Sequence, residues 1–345
     1  MMRFLPFRFL KTLLAVVVVA AIIVGTIYWL RRHRVEPPPT PQPFETKGKL
    51  QIFALDVGQG DGLLIVSPNG KTVLIDAGNA RAGDDVTATL QRRGIRSIDL
   101  AVATHPHADH IAGLRRVIGK LTVNSLLDSG QNFASDEYDK LQRAVKARKV
   151  QFIAAKKDWK FALDSGVELD AFNPRGDNHW ITNVREGGSI ENANSVVLRL
   201  SYGNFAMIFT GDAESETEAE LVKNRFPLRA QVLKIGHHGS RYATSEKFLN
   251  AINPEAAIIS CGVDNRYGHP SQPTLDRLKK SNVRVYRTDL GGEISIVSDG
   301  NTFQVSTARQ TNLASLWMGR IEMDNPLIQP KKAAATAKIK KEEID

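Results

Sequence analysis

The chain has 345 residues, 42% of them apolar and 24% charged, a composition that allows a globular domain with a sizeable core. Its formal charge of +9 sits mostly at the two ends, with +5 on residues 1–36 and +2 on residues 331–345, so only +2 remains for the whole stretch between them. That excludes a central domain that is basic throughout, though not a local basic patch. The single cysteine, Cys261, excludes an internal disulfide, and its place at the end of an apolar run reads as a small core residue.

Residues 13–30 are uncharged and apolar apart from Gly25 and Thr26, long enough to span a bilayer. Tyr28 and Trp29 stand where an aromatic belt would lie, and Arg31, Arg32 and Arg34 follow. No small-residue cleavage site follows the apolar stretch, which favours a retained anchor over a cleaved signal peptide. Residues 1–34 are therefore read as a single-pass membrane anchor with basic flanks. The charges on its two sides nearly balance and leave its orientation open. Residues 35–49, with Pro37, Pro38, Pro39, Pro41 and Pro43, form an extended linker, because proline fixes φ and lacks the amide proton a helix needs.

From Leu50 the pattern turns strand-like: 50–57, 62–67 and 71–76, with Asn69-Gly70 as a hairpin turn. A helix is expected over 84–93, begun by Asp84, and a strand over 98–104. That strand runs into His105-Pro106-His107-Ala108-Asp109-His110, three histidines and a carboxylate within six residues. Imidazole and carboxylate are the ligands of Zn²⁺ and similar ions, and a loop leaving a strand end can turn successive side chains inward. The spacing assigns His105 and His107 to one divalent ion and Asp109 with His110 to a second. A helix over 111–118 follows, then strand, helix and strand over 122–127, 136–147 and 150–154. Residues 173–193 are polar and aperiodic, a long loop of the kind that is usually functional or mobile.

The pattern then restarts with a hairpin, 195–202 and 205–210, ending in Gly211-Asp212, just as the first ended in Asp76 and Gly78. A duplicated layout is implied. Helices over 214–223, 245–251 and 272–280 alternate with strands over 231–235, 256–260 and 284–287. A last hairpin, 293–298 and 302–306, turns on Asp299-Gly300. His237 and His238 follow the strand over 231–235. Neighbours on a strand point apart, so one of the two, His237, is expected to face the metals. The single Gly268-His269-Pro270 histidine is a further candidate. From 309 to 345 no apolar face is left to bury, and the stretch reads as a disordered tail.

Several of these segments together resemble the metallo-β-lactamase fold, and in particular the hydrolase-like domain of the ComEC competence proteins. They are 56–61 (Asp-Val-Gly-Gln-Gly-Asp), 74–78 (Leu-Ile-Asp-Ala-Gly), the H-x-H-x-D-H block, Thr210-Gly211-Asp212, 233–240 with its His-His-Gly-Ser, Tyr267-Gly268-His269-Pro270 and Arg287-Thr288-Asp289. The resemblance covers about residues 50–308 and implies a four-layer αββα sandwich. It implies two divalent ions, Zn²⁺ or Mn²⁺, bridged by Asp212. The ligands would be His105, His107, Asp109, His110, Asp212, His237 and His269, with Asp76 orienting a ligand imidazole. It also shows a departure: the further histidine that many members of the fold place before the bridging aspartate is missing. Only His179 stands there, and Asn192, Asn194 and Ser195 occupy the region.

The resemblance implies a metal-dependent hydrolase outside the cytoplasm, with a DNA phosphodiester as its bond. Asp109 and Asp212 would position the attacking water, and His237 or His238 would assist the leaving group. Two other readings stay open: a hydrolase of a small ester, lactone, β-lactam or thioester, and a surface domain that binds DNA or a partner without catalysis. Nothing in the sequence points to a protein partner.

Overall fold

The computed structural model describes residues 48–176 and 179–319. The expected anchor (1–34) and most of the linker lie outside them; among the described residues no helix is long and apolar enough to cross a membrane.

Two sheets make the middle of the domain. The first has eight strands in the order β15-β14-β1-β2-β3-β4-β5-β6. These are β1 (Leu50–Ala54), β2 (Leu63–Val66), β3 (Thr72–Ile75), β4 (Ser97–Ala103), β5 (Thr122–Asp128), β6 (Gln151–Ala154), β14 (Ile294–Ser298) and β15 (Phe303–Thr307). The second has seven, β13-β12-β11-β10-β9-β8-β7. They are β7 (Lys160–Asp164), β8 (Val167–Asn173), β9 (Val197–Tyr202), β10 (Phe205–Phe209), β11 (Val232–Lys234), β12 (Ala256–Ile259) and β13 (Arg284–Arg287). β3 to β6 are mutually parallel, as are β10 to β13, each set entered from an antiparallel hairpin. This is the duplication the sequence implies.

Strand alternation explains the layers. Leu50, Ile52 and Ala54 of β1 and Leu198 and Leu200 of β9 meet in one cluster between the sheets. Residues of opposite parity, such as Phe53, Leu64 and Leu74, pack on helices α1 (Ala80–Arg92), α2 (Ala108–Lys120) and α3 (Asp136–Ala147). On the far side Val197, Ala257 and Ile259 pack on residues of α4 (Ser215–Lys223), α5 (Glu246–Ile252) and α6 (Gln272–Lys280). Three apolar layers between four structural ones is the αββα sandwich.

Four details differ from the sequence reading. Helix α1 begins one turn earlier than Asp84, because the Asn79 carboxamide caps it by accepting from the N–H groups of Arg81 and Ala82 at 3.0 and 3.1 Å. Helix α2 starts inside the metal block, so Asp109 and His110 stand on a first helical turn and not on a loop. The hairpin β7–β8 was not anticipated, its charged exposed face masking the inward Leu163, Val167, Leu169 and Ala171. The supposed tail begins too early. Residues up to Gly319 are held by the buried Arg287 guanidinium, which donates to the carbonyls of Ser315, Leu316, Met318 and Gly319.

Helix α2 is locked to the end of β3. Ala77 donates to the His110 carbonyl at 3.0 Å and Gly113 to the Gly78 carbonyl at 2.9 Å, an approach so close that a Cβ on Gly113 would overlap the Ala77 carbonyl. Gly113→Ala is therefore expected to destabilise the fold by about 1–3 kcal/mol. A urea midpoint equal to that of the wild type would show that the helix can back away freely.

Candidate metal centre

The parallel strands of both halves end at one edge of the sandwich, where an open α/β sheet places its ligands. From the first half come Asp76, one residue beyond β3, and Thr104 to His110, beyond β4. From the second come Asp212, beyond β10, and His237 and His238, beyond β11. Asp212 is the meeting point. Its Oδ2 lies 3.3 Å from His110 Nε2, 3.5 Å from His238 Nε2, and 3.7 Å from both His105 Nε2 and His237 Nε2. His238 Nε2 is also 3.7 Å from Asp109 Oδ2, and His105 Nε2 is 3.0 Å from His107 Nδ1.

These residues fit divalent metal ions. Ligand atoms held tetrahedrally about 2.0–2.2 Å from one ion lie about 3.3–3.6 Å apart, close to the spacing seen around Asp212. His105, His110 and Asp212 form one compact set, and Asp109, His110 and His238 another. His110 Nε2, His238 Nε2 and Asp212 Oδ1 are buried without a hydrogen-bond partner, a costly arrangement unless another group completes it.

Three of the imidazoles are aimed from behind. Asp76, fully buried, accepts from the Thr104 N–H at 2.9 Å and hydroxyl at 2.6 Å, and lies 2.8 Å from His110 Nδ1. His238 Nδ1 donates to the Ser260 carbonyl at 2.9 Å. His237 Nδ1 donates to Glu214 Oε1 at 2.8 Å, and Glu214 also accepts from Ser240 Oγ and from Arg185 Nη2. Engaging one ring nitrogen with a fixed acceptor leaves the other to face the cluster.

The charges respond to one another. Burial opposes ionisation of Asp212, but His238, His110 and His237 outweigh it and hold the carboxyl well below its usual range. Burial depresses His238, yet Asp212, Asp109 and Asp61 raise it to about 9. Burial likewise opposes the charge on His110, and Asp212 and Asp76 push it well above the ordinary value. His105 is driven well below its usual value, by burial first and then by His110. Burial, then His237 and His238, take His269 down to about 3.

The strand-alternation argument for the histidine pair does not apply. β11 ends at Lys234, and residues 236–239 form a 3₁₀ turn in which His237 and His238 have φ of +43° and +54°. Both side chains therefore turn toward Asp212. They differ in depth: His238 is buried, whereas the His237 side chain is 26% exposed and lines the cavity above. His107, His237 and His269 fall in none of the compact sets among the described residues; His107 meets the cluster only through His105, and His269 stands on the cavity wall, 5.1 Å ring to ring from His237. His179 is exposed. The region of the missing histidine instead contributes Asn192, buried, with its Oδ1 unpartnered and its amide 3.4 Å from His237 Nδ1.

Asp61, Lys234 and Glu214 carry more of the site than their sequence settings suggest. Lys234 is fully buried and its ammonium pairs with Asp61, whose other oxygen is 3.4 Å from His238 Nδ1. A lysine within an otherwise apolar strand was the signal for it. Asp56, earlier in the same loop, pairs with Arg309 at 3.3 Å.

Residues 55–263 match the profile of the Metallo-beta-lactamase superfamily, and the chain belongs to it. Within that family it is similar to ComE operon protein 3 of Bacillus subtilis, 32% identical over 71% of this chain and 32% of that protein. It is also similar to Competence protein ComA of Neisseria gonorrhoeae (32% identity, 70% and 31%) and to Recombination protein 2 of Haemophilus influenzae (27% identity, 80% and 32%). The ComEC resemblance read from the motifs is thereby borne out. The chain spans about a third of the length of these relatives.

Two predictions follow from the electrostatics. Lys234→Met leaves Asp61 buried and uncompensated, which should cost about 3–5 kcal/mol, most of it recovered in the Lys234→Met, Asp61→Asn double variant. Denaturant melts of the metal-free protein measure both, and no recovery in the double variant would contradict the pairing. The second concerns Asp128, at the end of β5, which burial pushes up to about 6 even though Oδ1 accepts from the Gly130 N–H and the Tyr138 hydroxyl. Unfolded, it titrates near 4. Between about pH 4 and 6 the folded state thus keeps a proton that the unfolded state has lost, and stability falls as pH rises through that window, by up to about 3 kcal/mol. Asp128→Asn retains the Oδ1 acceptor without the buried charge. Its stability relative to wild type should rise across the same window in parallel melts and level off above it.

Proposed function

We propose that the chain is a membrane-anchored, metal-dependent phosphodiesterase that cuts DNA outside the cytoplasm, using two divalent ions, Zn²⁺ or Mn²⁺. The observation that carries this reading is the convergence of imidazole and carboxylate atoms from both halves on Asp212 Oδ2, with buried donors and acceptors left open. In this reading His105, His107 and Asp212 hold one ion, and Asp109, His110, His238 and Asp212 hold the other. Bound divalent ions acidify a water and offset negative charge on the attacked phosphate.

The chain's own residues do the rest. Asp76 fixes the His110 imidazole, and Asp61 with the Ser260 carbonyl fixes His238. His237 presents Nε2 to the cavity with Nδ1 held by Glu214, placed to hand a proton to the departing oxygen. His238, the other candidate for that task, is buried with both nitrogens directed at site groups, the geometry of a ligand. The first set offers fewer protein ligands, a complement that would suit Mn²⁺ as well as Zn²⁺. DNA as substrate is supported by relatives named for competence and for recombination. Residues 13–30, outside the described residues, would serve as the anchor.

The full-length chain, reconstituted separately with Zn²⁺ and Mn²⁺, should cut DNA in a metal-dependent way. Asp109→Ala should bind less than the full metal complement and lose at least about a hundredfold in rate. Stoichiometric metal with intact DNA would move the search to small esters. No bound metal would favour a binding domain.

A further inference from the structure

Above the cluster lies a cavity of about 460 Å³, lined in part by Asp109, Asn192, His237, His269 and Tyr267. That volume accommodates one small molecule or one residue of a polymer. Tyr267 is 52% exposed and, of the large apolar side chains most open to solvent among the described residues, the one that lines this cavity. Exposure of an aromatic ring at the mouth of a charged site sacrifices burial unless a ligand covers it. The ring has two neighbours. It lies nearly parallel to His269, 21° between planes and 5.9 Å between centroids, and the His269 backbone N–H donates to Asn265 Oδ1 at 3.0 Å. Arg266 lies over the Tyr267 ring, its guanidinium 5.0 Å from the centroid, and donates to the phenol oxygen at 3.0 Å, while itself facing solvent. A flat exposed ring, a solvent-facing cation held against it and a carboxylate–imidazole cluster beneath match the parts of a nucleotide in a strand: base, flanking phosphate and scissile phosphate.

Resting on the phosphodiesterase reading, we propose that Tyr267 is the stacking platform for the base beside the scissile phosphate, with Arg266 on the neighbouring phosphate, so that the site takes single-stranded DNA in preference to duplex. In a duplex each base is already stacked and paired, and its face is not available to a side chain. Stacking is tolerant of base identity, so the cleavage it guides is not sequence-specific.

The test uses the full-length chain and a short oligothymidylate carrying a fluorescent base analogue, beside the same strand made abasic at that position. Wild type should bind the intact strand about tenfold more tightly than the abasic one and quench the analogue. Tyr267→Ala should lose both the preference and the quenching, with the loss of cleavage appearing in KM, while Tyr267→Phe, which keeps the ring and only drops the hydroxyl, should retain them. Equal binding of the two strands by a wild type that cuts DNA would overturn the platform and leave the phosphodiesterase standing, as would retention of the preference in Tyr267→Ala. A wild type that neither binds nor cuts either strand would remove both.

Discussion

The pairing of Lys234 with Asp61 ties the two sheets together at the level of the site. Lys234 belongs to the second sheet and Asp61 to the loop after β1 of the first, and neither touches water. An isolated ion at either position would be prohibitively costly, so the two must meet, and meeting fixes how far apart the strand ends stand. The pair also sets the charge of the floor. Asp61, Asp76 and Asp212 are three buried carboxylates in one region, and Lys234 is a cation no change of ligand removes. It holds Asp61 ionised beside His238 while leaving Asp109 and Asp212 free to face the space above.

Around that tie the backbone is shaped by close approach. Gly60 has φ of +134° and sits against the Asp109 carbonyl, where any Cβ would overlap it. The loop before β2 is thereby pressed onto the first turn of α2. The same turn is held from the other side by the backbone bonds between β3's end and His110 and Gly113. His110 is thus positioned by main chain on two sides before its side chain meets Asp76. In the second half the left-handed His237 and His238 achieve what a strand cannot, two adjacent side chains directed at one carboxylate. Non-glycine residues adopt that conformation at a cost, and here it coincides with the site.

How much of this could be read in advance depended on how local each feature was. The H-x-H-x-D-H block is legible because its chemistry lies within six residues, and a strand such as β12 because its apolar run is bounded by turns. The start of α2 inside the block was hidden because Pro106 and two histidines read as loop, although a helix can begin directly after them. Pairings across the chain left little trace. Glu214 reads as the start of a helix, and only the fold brings its carboxylate to His237, 23 positions away. Asn192 is one polar residue among many in an aperiodic stretch, and its burial beside His237 depends on the short helix over residues 190–193. The histidine pair was misjudged for a physical reason: alternation holds on a strand, and the strand ends two residues too soon.

The long loop has a larger part than its composition suggests. Arg185, within it, donates to Glu214 Oε2 at 2.6 Å and lies 3.4 Å over the ring of Tyr242, which is exposed on the surface. Glu214 in turn holds His237. A chain of contacts thus runs from solvent through a stacked cation and a buried carboxylate to the imidazole facing the cavity. The floor of the site is built on strand ends and is rigid for that reason. Part of the cavity wall above it lies away from the strand ends, with Asn192 on the short helix over residues 190–193 and Tyr267 and His269 on a loop. Burial opposes the charge on Glu214, and His237, Ser240 and Arg185 together hold its carboxyl below the usual value. The surface loop is therefore joined to His237, an imidazole partly open to the cavity, by contacts of a few ångströms at each step.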